Sequence, residues 1–368
     1  FGGVVLSQAV RLLATALVLS VITGLSLPEC ILIMGVFAAL WAIMGGITTV
    51  IWTDFVQWAI YTLGAVIVVF WLVDAIPDGL SGILALADEQ AKLAFLDLSL
   101  DPTATYTLWV GLVGMAVFEL GQNAIDQVVT QRALCCRNRE EAQKAVYASA
   151  FGAITFYLMA FVGLGLVAFY ALHPPEGAAA ELLAREPDRV FPFYLVEEIP
   201  PGLSGLLIAS IFAAGISTLD SALTALSQTT VSGAYQRYVR PDAPERHYLR
   251  VSRGLILFWT AALCGLALAF HVWSTEGLLN LGLQVPGYVY GALLGIALLA
   301  LWRKGSPLGI GVGVVLSIVA VLGLQALDVA FFWWYPVACL IGVAVALVHA
   351  RFTGRPDPLP RAARSPAQ

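Results

Sequence analysis

The stretch 204–232, SGLLIASIFAAGISTLDSALTALSQTTVS, places small polar residues and one acid inside a hydrophobic segment. Wound as a helix at about 100° per residue, it puts Ser210, Ala214, Ser217, Ser221, Thr224 and Gln228 on one narrow face, with Thr218 on one border and Asp220 on the other. Hydroxyls and a carboxylate are costly in hydrocarbon, so this face must look at protein, water or an ion. Its small residues let a neighbouring helix come close. Hard cations such as sodium take oxygen ligands, and this face supplies oxygens.

The rest of the chain surrounds that stretch with more apolar runs. Of 368 residues, 60% are hydrophobic and only 12% charged, and the mean hydropathy is +0.85. A soluble domain is about half apolar, with about a quarter of its residues charged. The composition therefore predicts an all-α polytopic membrane protein and excludes a soluble domain with a single anchor. Five cysteines show no C-x-x-C spacing and four histidines are scattered, so neither a disulfide framework nor a metal cluster is expected. Cys135 and Cys136 adjoin a basic stretch, where packing and palmitoylation are both open readings. No nucleophile–base pair or cofactor motif is visible, which argues against an enzyme, and nothing points to nucleic acid.

Ten runs have bilayer length: 3–26, 30–47, 52–74, 105–130, 144–171, 203–232, 250–272, 279–302, 307–325 and 329–350. Gly45-Gly46 and Pro286-Gly287 interrupt this pattern. If the ten spans alternate, fifteen of the nineteen basic residues fall on one side, in the connections near 132–144, 237–253 and 303–304 and in the tail. The positive-inside rule makes that side, with Phe1 and the tail, cytoplasmic in a plasma or inner membrane. Two longer connections lie outside, 75–104 and 172–202. The first holds an amphipathic helix, ILALADEQAKLAFLDL; either loop is an outer lid or simply packs on the surface. The Pro- and Arg-rich tail predicts disorder.

Three other places carry polar groups at membrane depth. In TTVIWTDFVQ, residues 48–57, Asp54 begins a span; it either caps a helix N-terminus or serves an ion. In FELGQNAIDQVVTQRALCCRNREEA, residues 118–142, Glu119, Gln122 and Asn123 lie deep, and a carboxylate there has to find a partner, a proton or water. Asp126 and Gln127 belong to the same row or to a solvated helix end. In EGLLNLGLQVPGYVYGALLG, residues 276–295, Asn280 and Gln284 share a face at i and i+4, and Pro286 removes a backbone bond nearby. Such a helix lines a path or bends to fit.

TTVIWTDFVQ, IDQVVTQRAL and IFAAGISTLDSAL, in this order, resemble motifs of the sodium/solute symporter family, which includes sodium-coupled sugar, proline, sialic acid, monocarboxylate and vitamin transporters. The similarity covers nearly all of residues 1–350. It implies the inverted-repeat (LeuT-like) fold, with sites near the midplane. The chain then corresponds to a fragment lacking the first two core helices. Residues 1–75 close the first repeat (three helices), 76–104 form an external loop, 105–302 the second repeat (five helices), 303–350 two additional helices and 351–368 a cytoplasmic tail.

Carried over by motif, a sodium site falls on the Ala214 carbonyl and the Ser217 and Thr218 hydroxyls. A second cation site, found in some members toward the cytoplasm, falls on Asp54, Ser217, Asp220 and Ser221. An acid, Asp220, stands there in place of the usual hydroxyl. Two carboxylates at one site bind a cation more tightly, hold a proton between them or pair with an arginine. Substrate positions fall on Glu119, Gln122 and Asn123, with Asn280 or Gln284 replacing a glutamine of the family. The expected function is sodium-driven symport of a small polar organic solute across the bilayer, with sodium as coupling ion and no cofactor. The alternatives are a symporter-like sensor domain and a proton-coupled carrier.

Overall fold

The structure is a computed structural model that describes residues 2–44, 47–93, 96–125, 127–273, 277–302 and 304–352. Among these residues all regular structure is helical. The helices are α1 (Gly2–Thr23), α2 (Leu27–Met44), α3 (Ile47–Ala75), α4 (Leu80–Glu89), α5 (Ala116–Ile125), α6 (Gln127–Leu134), α7 (Arg139–Ser149) and α8 (Gly152–Leu172). They continue as α9 (Gly177–Arg185), α10 (Val190–Glu197), α11 (Leu203–Thr230), α12 (Glu245–Trp273), α13 (Leu278–Gln284), α14 (Gly287–Trp302), α15 (Pro307–Ala326) and α16 (Trp334–Phe352). Nine helical stretches among the described residues are long and apolar enough to cross a bilayer, and they match nine of the ten expected spans. The remaining one, expected at 105–130, is helical in pieces: a π-helical segment Val110–Met115 feeds α5, and α6 follows.

Two boundaries differ from expectation in ways that matter. α3 starts at Ile47, so Asp54 lies well inside the helix and caps nothing. That corrects the capping reading of Asp54. The expected span at 52–74 thus begins later than the helix; Gly45 and Gly46, like Asp126 and the tail from 353, lie outside the described residues. α11 runs on through a π-helical stretch, Val231–Val239, so the polar helix is longer than its apolar part.

Two compact units are present, drawn from residues 3–95 with 131–281 and from 96–130 with 282–368. In the first, Val68, Leu72 and Ile76 of α3 meet Val162, Leu166 and Phe169 of α8 and Leu207 of α11. Tyr194 and Leu195 of α10 complete this core at 0% exposure, so the connection 172–202 packs down through its apolar residues. Burial pushes the Tyr194 phenol well above its usual range. The amphipathic helix expected in the connection 75–104 is present in part, as α4, which ends at Glu89 before the quoted run does, with Ile83 and Ala87 buried. Gly215 sets the distance between α1 and α11. A Cβ built there would stand 2.5 Å from Thr15 Cγ2 and Oγ1, so only glycine permits this approach.

In the second unit the core joins Phe118 of α5, Tyr290 of α14 and Trp334, Tyr335 and Ala338 of α16. The expected interruption at Pro286-Gly287 is present as the break between α13 and α14. Breaking a helix in a membrane strands carbonyls, which need new donors. The Tyr335 hydroxyl donates to the Leu283 carbonyl at 2.6 Å and meets that need from α16.

Candidate functional site

The polar stripe of α11 meets α3 in the first unit. A cavity of about 540 Å³ opens there, lined by Asp54, Gln57, Trp58 and Tyr61 of α3, Ala214, Ser217 and Thr218 of α11, Arg132 of α6, and Ser149 and Phe151. The stripe forms because α11 is an uninterrupted helix in which hydroxyls recur at three- and four-residue steps. Ser210, Ser217 and Ser221 are buried and Ala214 and Thr218 half-buried. Thr218 Oγ1 donates back along the helix, to the Gly215 carbonyl at 2.9 Å and the Ala214 carbonyl at 3.3 Å. The three atoms expected to bind sodium therefore lie within about one turn, on the wall of the cavity.

Beside them stands a charged knot. Ser217 Oγ donates to Asp54 Oδ1, and Arg132 donates to Asp54 Oδ2 as an ion pair. The same Arg132 Nη2 donates to Ser221 Oγ at 3.0 Å, and Ser221 Oγ stands 3.4 Å from Asp54 Oδ2. The Asp54 side chain is 13% exposed and that of Arg132 44%. An ionised carboxylate only accepts hydrogen bonds. Ser217 must thus spend its proton on Asp54, which turns its oxygen lone pairs toward other partners. The structure brings together Asp54, Ser217 and Ser221 of the expected second cation site.

Asp220 does not enter that hydrogen-bonded group. It is 0% exposed, and neither carboxylate oxygen has a hydrogen-bond partner among the described residues. Glu119, Gln122 and Asn123 belong to the second unit. Asn123 Nδ2 donates to Glu119 Oε2 at 3.1 Å and to the Glu119 carbonyl at 3.0 Å, so the carboxylate finds a partner one turn away, and both side chains are exposed. Gln122 is half-buried, as are Asn280 and Gln284, which share α13 immediately before the break. Asp126 lies outside the described residues.

Sequence reasoning missed two members. Arg132 was read as one more basic residue of a connection, although it stands in the quoted IDQVVTQRAL run. Gln57 closes the other quoted run, TTVIWTDFVQ, and its Oε1 is buried in the cavity wall with no hydrogen-bond partner among the described residues. Trp58 donates to Thr155 Oγ1 at 3.1 Å, which in turn bonds Thr62 at 2.8 Å, so α8 fixes this face of α3.

The chain is 28% identical over 324 residues to the human sodium/iodide cotransporter, with 84% of this chain and 48% of that protein covered. It is 27% identical to sodium-coupled monocarboxylate transporter 1 of Xenopus laevis, covering 87% of this chain and 52% of the relative. Against the sodium/sialic acid symporter NanT of Aliivibrio fischeri the identity is 27%, covering 91% and 66%. The chain thus spans about half the length of the first two relatives. Its fold matches that of a Na+-coupled sialic acid symporter solved in a substrate-bound outward-open state, with a TM-score of 0.80 at 22% identity, over 95% of this chain and 72% of that one. The fold is the expected inverted-repeat, LeuT-like one. The family model described as the sodium:solute symporter family matches residues 3–307, and the chain belongs to that family.

Proposed function

We propose that the protein is a sodium-coupled secondary active symporter that moves a small polar organic solute by alternating access. The observation that carries this reading is the row Ala214, Ser217 and Thr218 on the wall of the cavity between α3 and α11. Three oxygens within one turn suit a hard, weakly held cation, and small residues around them leave room for it. Sodium moving inward down the membrane potential releases about 2.3 kcal/mol per charge per 100 mV, which drives uptake of the solute. Sodium binding favours the outward-open state, and solute binding then completes closure and inward release. Glu119, Gln122, Asn123, Asn280 and Gln284 are the proposed solute-facing residues. The repeats are proposed as 1–75 and 105–302, with 303–350 added to them.

A proton-coupled reading has one observation in its favour: Asp220 is fully buried with neither oxygen bonded among the described residues. A carboxyl so placed has to meet either a cation or a proton. The deciding experiment uses the intact protein in proteoliposomes. Replacing sodium by choline at fixed pH abolishes uptake if sodium drives it, whereas uptake that persists on a pH gradient sinks the sodium reading. Ser217→Ala with Thr218→Ala is expected to remove at least nine-tenths of sodium-dependent uptake, and unchanged uptake would exclude the Ala214–Thr218 site.

A further inference from the structure

The knot at Asp54 places a positive charge where the resemblance puts a second metal cation. Both oxygens of the Asp54 carboxylate are engaged, Oδ1 by the Ser217 hydroxyl and Oδ2 by Arg132. The Arg132 nitrogen that meets Oδ2 is also 3.0 Å from Ser221 Oγ. A cation bridging Asp54 and Ser221 needs these same two oxygens, and a guanidinium nitrogen already lies between them. We infer that Arg132 is a built-in cation: its guanidinium occupies the Asp54–Ser217–Ser221 pocket, so that this pocket takes no sodium and coupling rests on the Ala214–Ser217–Thr218 site alone.

Three features of the pocket support the assignment. Arginine keeps its charge at any physiological pH and carries several donors, so one nitrogen serves a carboxylate and a hydroxyl together. A sodium ion brought to the same carboxylate oxygen would be repelled by the guanidinium, and water screens that repulsion less in a half-buried pocket than in bulk. The Arg132 side chain is 44% exposed while Asp54 is 13% exposed, so the charge reaches in from the open side and closes over the acid. Ser217 belongs to both expected sites. With its proton committed to Asp54, its oxygen is oriented to serve as a ligand for the neighbouring one. The ion pair therefore also positions a ligand of the site that does bind sodium.

This inference rests on the sodium reading, and its test separates the two. Equilibrium binding of 22Na+ to the purified intact protein, at saturating sodium, counts ions per chain. The expected count is one for the wild type, one for Asp54→Asn and two for Arg132→Gln, which exposes the carboxylate. The count returns to one in Arg132→Gln with Asp54→Asn. A wild-type count of two that drops to one in Asp54→Asn overturns the inference and leaves sodium coupling intact, and this pair decides the matter even if Arg132→Gln does not fold. An Arg132→Gln protein that folds and still binds one ion also overturns it. No 22Na+ bound by any of these proteins overturns the sodium reading and the inference with it.

Discussion

Ser217 shows how one side chain links two functions. Its hydroxyl hydrogen goes to Asp54, and the residue lines one cavity with Ala214 and Thr218, so the acid and the proposed sodium row share a side chain. Much of this was legible in the sequence. A serine, a threonine and an acid inside an apolar helix are conspicuous because hydrocarbon penalises them. Arg132 was not legible in the same way. It sits among Arg137, Arg139 and Lys144, a cluster that reads as a solvated connection, and its partner Asp54 lies 78 residues earlier in the chain. Nothing local to the sequence records such a pairing. Asp54 was half legible: its depth in α3 depends on where the helix begins, and the helix begins at Ile47, before the expected span at 52.

At the level of elements, close approach and a repaired break hold the helices in register. Gly215→Ala would drive a methyl into Thr15, and overpacking of this kind costs about 1–3 kcal/mol. The expected outcome is a thermal midpoint lowered by several degrees in detergent, largely restored by adding Thr15→Ala. No recovery in the double variant would show that the contact between α1 and α11 is not the cause. The break between α13 and α14 was foreseen from Pro286, but its support was not, because Tyr335 lies some fifty residues further on. Tyr335→Phe keeps the ring in its core and removes only the donor to the Leu283 carbonyl. A buried acceptor left unpaired costs about 1–3 kcal/mol, so the unfolding midpoint should fall without any change in the helical circular dichroism signal at room temperature. An unchanged midpoint would mean that water takes over the role of the hydroxyl.

The whole molecule has an asymmetry of charge that predicts its orientation. Basic residues gather in the connections around 132–144 and 237–253, whereas α4 and its surroundings carry acids. In a background with the five cysteines replaced by alanine, Glu89→Cys should react with an impermeant maleimide in intact cells, and Asp242→Cys only after permeabilisation. The reverse pattern would invert the topology. The ion pair of Arg132 with Asp54 has a consequence at this scale too. A guanidinium fixed to the chain never crosses the membrane, so it adds nothing to the charge delivered per cycle. Each coupling ion that a carrier forgoes lowers the highest solute concentration ratio it can sustain, by roughly fiftyfold at 100 mV from the electrical part alone. Under the proposed function, a carrier with an arginine in its second pocket trades steepness of accumulation for economy of sodium, and that suits a solute which is abundant outside or consumed quickly within.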